Sequence, residues 1–144
     1  MGAILAHGLK IEGQRFKKGR QLTKQDIAIL LDAGLSEITA ARLEPGDVGE
    51  DEAAETIARS FAGSGVRAGA AFTGRANLYA ESDGLVLLDP ATIERANLTH
   101  DSLTIATLSP YAMVAKGDMV ATIKIIPYAA PATAVDALVQ FGLN

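Results

Sequence analysis

The run Thr73-Gly74-Arg75-Ala76-Asn77-Leu78 holds residue types suited to gripping an anion. A glycine lets backbone N–H groups close on negative charge. A guanidinium holds a phosphate by two parallel hydrogen bonds, and an amide offers donor and acceptor to a heterocycle edge. The same run also reads as an inter-strand turn in which Asn77 satisfies buried backbone and Arg75 makes a structural ion pair. Lys124 stands alone among the aliphatics of Val120-Ala121-Thr122-Ile123-Lys124-Ile125-Ile126, so its ammonium either reaches past them to water or faces a cleft. His7 alternates outward from Ile4 and Ala6 and either donates to a ligand or is a satisfied strand histidine.

Other chemistries find little support. The chain has no cysteine, which excludes disulfides, thiolate zinc sites and a cysteine nucleophile. There are two histidines, far apart, and His100-Asp101 is a poor metal pair because adjacent strand residues face opposite ways; it reads as a turn. Gly63-Ser64-Gly65 lacks the pentapeptide of a nucleophile elbow, and no nucleotide-type glycine loop occurs. Arg15, Lys17, Lys18, Arg20 and Lys24 form a basic run without an acid among them, read either as a solvated face or as an anion-binding edge. Glu44, Asp47, Glu50, Asp51, Glu52 and Glu55 form an acidic run. Asp47 to Glu50 has capping-box spacing, and the macrodipole favours carboxylates in a first helical turn.

Composition sets the frame for these candidates. With 144 residues, nearly half apolar and about a fifth charged, the expectation is one globular domain over 1–144. A formal charge of −4 and few aromatics point away from nucleic acid. The longest apolar runs, Gly84 to Leu88 and Ile123 to Pro127, fall far short of the roughly 18–20 residues of a membrane span, and the start lacks a basic n-region, so a cytoplasmic protein without a membrane partner is expected.

The candidates must be positioned by elements that the patterning predicts. Ala3 to Ile11 and Gln14 to Leu22 read as an opening β-hairpin around Glu12-Gly13. Thr23-Lys24-Gln25-Asp26 caps a helix carrying Ile27, Leu30 and Leu31 and ending at Gly34; a strand over Ser36 to Leu43 follows, broken by Glu44-Pro45-Gly46-Asp47. Ala53, Ala54, Ile57, Ala58 and Phe61 form the stripe of a second helix. Val66 to Phe72, Ala76 to Glu81 and Gly84 to Leu88 read as strands, the last two as a hairpin about Asp83-Gly84. Asp89-Pro90 opens a short helix to Asn97; Leu103 to Leu108 and Met119 to Ile126 are strands; and Pro131 to Phe141 is a helix. In the strand from Met119, the residues Met119, Ala121, Ile123 and Ile125 are expected on one apolar face. The fold class is therefore α/β (α+β): a mixed sheet with an opening β-hairpin and three to four helices packed on it.

Lys17-Lys18-Gly19-Arg20-Gln21-Leu22-Thr23, with the helix to Gly34 and the strand near Glu37 to Ala41, resembles the segment after the barrel domain of molybdopterin molybdenumtransferases. Gly2-Ala3-Ile4-Leu5-Ala6-His7, Thr73 to Leu78, and Val120 to Pro127 extend the likeness over most of residues 2–128. Together they resemble the amino-terminal region of a bacterial molybdopterin-binding protein family, in some members of which a nucleotidyltransferase-like domain follows. The resemblance implies molybdenum-cofactor biosynthesis or handling, an anionic pterin ligand (molybdopterin), and downstream domains in a parent protein. Under it, Thr73, Gly74, Arg75, Asn77, Lys124 and His7 are the candidate ligand-binding residues, with no catalytic or metal site. A second reading is a non-catalytic scaffold for homo-oligomerisation or docking of downstream domains, motivated by the apolar strand faces and aliphatic tail. A third, a small enzyme acting on anionic sugars or hydroxy acids, lacks any nucleophile-base arrangement.

Overall fold

In the computed structural model, which describes residues 2–11 and 13–142, the break expected at Glu44-Pro45-Gly46-Asp47 separates two compact units, Met1–Pro45 and Gly46–Asn144. One domain was expected from length. Within the described residues there are two hydrophobic clusters, one from residues before that turn and one from residues after it.

In the first unit, Thr23 and Asp26 form the predicted capping box. The Thr23 hydroxyl accepts from the Asp26 N–H (3.1 Å), and the Asp26 carboxylate accepts from the Thr23 N–H (3.0 Å). This fixes the start of α1 (Lys24–Asp32), which follows three short strands: β1 (Ile4–Leu5), β2 (Leu9–Ile11) and β3 (Gln14–Phe16). The opening hairpin is confined to β2 and β3; its expected turn residue Glu12 lies outside the described residues. β1 instead pairs with β4 (Ala40–Ala41), all that forms of the strand expected over Ser36 to Leu43. Leu5, Ile11, Phe16, Leu22 and Leu30 make the core.

Arg20 ties this unit together: its guanidinium donates to Asp26 at 2.8 and 3.2 Å and lies over the Phe16 ring. The Arg20 hydrogen bonds and the Thr23 N–H hold the Asp26 carboxyl below its usual value of 3.8. A carboxyl lowered on folding stabilises the native state above the unfolded value and loses that contribution as pH falls through the folded one. The first unit should therefore lose stability below about pH 4, and Asp26→Asn should flatten this acid limb in urea titrations at pH 3 to 6. An unchanged limb would assign the acid sensitivity elsewhere.

The second unit carries the sheet that positions the candidate site. β6 (Val66–Ala68), β7 (Arg75–Ala80), β11 (Met119–Ile125) and β9 (Leu103–Thr107) lie in the order β6-β7-β11-β9. The mixed α/β class stands, with four helices. Every described pairing is antiparallel, however, where a sheet of mixed direction was expected. The short connection between β6 and β7 leaves no room for a parallel crossover, which takes a dozen or more residues. On the inner face, Ala76, Leu78, Ala80, Ile105, Ile123 and Ile125 meet Ala53, Ala54, Ile57 and Ala58 of α2 (Glu50–Phe61). Three of these four fully buried α2 side chains are alanines, which brings the helix close to the sheet. α3 (Pro90–Asn97) packs beside β9, capped by Asp89 as expected.

Three expectations fail here for physical reasons. α2 has Gly49 as N-cap without a side-chain bond, because Asp47–Gly49 forms β5, paired with β12 (Ala129–Pro131), instead of a capping box. β8 (Gly84–Leu85) does not close a hairpin on β7. It pairs with β10 (Met113–Val114), and the Asp83 carboxylate accepts from the Lys116 N–H at 2.8 Å, drawing the chain toward that partner. In β11 a bulge between Met119 and Ala121 breaks the alternation, so Met119 is half exposed while Val120 and Ala121 are both buried. α4 (Ala132–Gly142) packs chiefly against α2; a Cβ on Gly142 would stand 2.6 Å from the Ser60 backbone, so the two helices touch through glycine.

Candidate functional site

Strand register decides which candidates meet. Arg75 on β7 lies directly opposite Lys124 on β11, and Asn77 opposite Thr122, so all four share the outer face of the sheet while their neighbours in sequence form the core. Tyr79 continues this face, with its ring beneath the Arg67 guanidinium (4.8 Å) and its hydroxyl accepting from the Asn77 amide (3.1 Å). Arg75 is exposed and makes no ion pair among the described residues, contrary to the structural pair read as its alternative role. The Asn77 Oδ1 and Thr122 Oγ1, neighbours across the register, are buried without hydrogen-bond partners. Orphaned buried oxygens of this kind are uncommon and call for a partner.

Thr73 and Gly74 have φ of 51° and 69°, and Phe72 and Arg75 exchange backbone hydrogen bonds (2.9 and 3.2 Å). Positive φ at both central residues marks the two-residue type I′ hairpin turn. A β-branched threonine in the left-handed region is strained, and three braces hold it. The Gly74 N–H donates to the Asp51 carboxylate (2.6 Å), the Gly74 carbonyl accepts from the Ile125 N–H (2.7 Å), and the Lys124 ammonium donates to the Thr73 carbonyl (2.7 Å). The glycine N–H thus already faces an anion, the chain's own carboxylate from the first turn of α2. Glu50 and Lys124 crowd the same spot, their Oε2 and Nζ standing 2.8 and 3.1 Å from where a Gly74 Cβ would be.

The predicted cluster therefore divides. Thr73, Gly74 and Lys124 are engaged in a braced turn with two carboxylates nearby, the half-buried Lys124 reaching past the aliphatics to the exposed Thr73 carbonyl. Arg75 and Asn77 remain on the sheet face with unspent hydrogen-bonding capacity. His7 is exposed and belongs to the first unit. His100 closes a local turn, its Nδ1 accepting from the Ser102 N–H at 3.1 Å, and no metal-binding cluster occurs among the described residues. Sequence reasoning missed Asp51, Glu50, Thr122 and Tyr79. The acids sit in the run read as a helix start, 23 residues from Gly74, and nothing local to either segment announces the bond. Thr122 could have been found from the outward alternation that it shares with Lys124.

The described residues include no helix long and apolar enough to cross a membrane. A family model described as a domain of unknown function (DUF8806) matches residues 1–42, less than a third of the chain and nearly coextensive with the first compact unit. No curated protein and no solved structure matches the chain.

Proposed function

We propose that the chain is a binding module of molybdenum-cofactor biosynthesis or handling that takes an anionic pterin phosphate on the outer sheet face of its second unit. The observation that carries this reading is the exposed Arg75 guanidinium, without an ion pair among the described residues, on the same sheet face as the half-buried Asn77. A guanidinium grips phosphate, and a heterocycle with donors and acceptors on its edge answers an amide. The resemblance of residues 2–128 to molybdopterin-binding proteins supplies the ligand class. The braced Thr73-Gly74 turn serves as a rigid wall, not as the anion cradle.

Calorimetry with molybdopterin or a phosphorylated pterin analogue tests this. Binding is expected, and Arg75→Ala should weaken it by about 10- to 100-fold, the loss of one charge-assisted contact. Heats indistinguishable from dilution, for the chain alone and for a form joined to the following domains that the resemblance implies, would discard it. The scaffold reading has its own support in the apolar ribbon of β8 and β10.

A further inference from the structure

The β8–β10 ribbon is short, uncharged and apolar on its exposed side. Leu85 and Met113 are cross-strand partners, exposed at 55 and 87%, and Leu87, on the same face by alternation, is exposed at 78%. No charged residue occurs in 84–88 or 108–115. Val86 exchanges hydrogen bonds with the 111–112 segment, so the backbone groups of Leu85 and Leu87 point to the opposite side, an edge with no strand on it among the described residues. Open apolar edges are normally blocked by lysine, proline or a bulge, and this one has none. A further oddity lies at the end of the ribbon. Ser109-Pro110-Tyr111-Ala112 forms a turn closed by the Ala112 N–H to the Ser109 carbonyl, with Tyr111 at φ 62° in the position where glycine belongs. That tyrosine is 72% exposed, so no packing within its own chain accounts for keeping an aromatic there.

We propose that the free edge of β8 pairs antiparallel with the same edge of a second copy of this chain. The two-fold axis passes beside Val86, so that Leu85 of each copy faces Leu87 of the other, with Met113 and Tyr111 flanking. An isologous contact sets this segment against itself, Val86 on Val86 and Leu85 on Leu87; the order Leu85-Val86-Leu87 reads the same in both directions, and with no charge in 84–88 no like-charged pair arises. The pairing satisfies the Leu85 and Leu87 backbone, covers the leucines and gives Tyr111 an apolar surface to meet.

Sedimentation equilibrium of the full chain should give twice the 15.0 kDa of one copy. The double substitution Leu85→Lys/Leu87→Lys should return it to a single mass, whereas Leu98→Lys, at an equally exposed leucine outside the ribbon, should not. Tyr111→Gly relieves the turn, so this variant should fold at least as stably while associating at least about tenfold more weakly. Because the chain has no cysteine, Val86→Cys should yield a disulfide-linked pair on air oxidation and Leu98→Cys should not. A single-chain mass at several hundred micromolar, or a dimer indifferent to the ribbon substitutions, overturns the proposal. Pterin binding is read separately and stands or falls on Arg75.

Discussion

Replacing Gly74 by alanine is expected to lower the melting temperature of the second unit by on the order of 10–20 °C. Two costs combine. The left-handed φ of 69° is unfavourable for alanine by about 1–2 kcal/mol. The new Cβ would also stand 2.9 Å from the Ile125 carbonyl oxygen and 2.8 Å from the Glu50 carboxylate, close contacts that typically cost about 1–3 kcal/mol. A side-chain carboxylate can swing aside, but the carbonyl belongs to the strand through which the sheet is hydrogen-bonded. For a unit of this size each kcal/mol is worth about 4–8 °C. Gly84→Ala is the matched control: nothing lies within 4 Å of its Cβ position, and its change should stay within about 0.5 kcal/mol. A Gly74→Ala variant melting within about 3 °C of the parent would mean that the turn is not braced as described.

Phe16→Ala should unfold the first unit while the cooperative transition of the second survives. Phe16 is fully buried in a core of five residues, and truncation of such a side chain costs about 3–5 kcal/mol. A unit of this length has little stability to lose. The substitution also removes the ring beneath Arg20, the residue that holds Asp26. Hydrogen exchange monitored by NMR should show protection lost over 2–45 and kept in the β7–β11 ladder. Native protection retained in α1 would contradict the division of cores, and collapse of both transitions together would show that the two fold as one.

How much was legible depended on the range of the forces involved. α1 was readable because its cap, stripe and stop are written within a dozen residues, and β9, β11 and α4 because long apolar periodicity survives tertiary context. β5 and β12 were not readable: three residues, Asp47-Val48-Gly49, carry no alternation, and their partner lies some 80 positions along the chain. Asp83-Gly84 misled because turn chemistry says that the chain reverses, not which strand it then meets; β8 found β10 instead of β7. The candidate site was legible as residue types, and register placed Arg75 against Lys124. The claim of Asp51 on the Gly74 N–H was invisible, since a helix terminus and a hairpin tip meet only after the sheet has formed.

One side chain closes the far side of that sheet. The Asn97 amide accepts from the Ile105 N–H (2.7 Å) and donates to the Ile105 carbonyl (2.9 Å), standing in for a fifth strand along β9. Hydrolysis of that amide to a carboxylate would keep an acceptor for the Ile105 N–H but set oxygen against the Ile105 carbonyl. At Ile105 the outer edge of β9 is thus closed to a further strand by one side-chain amide carried on α3.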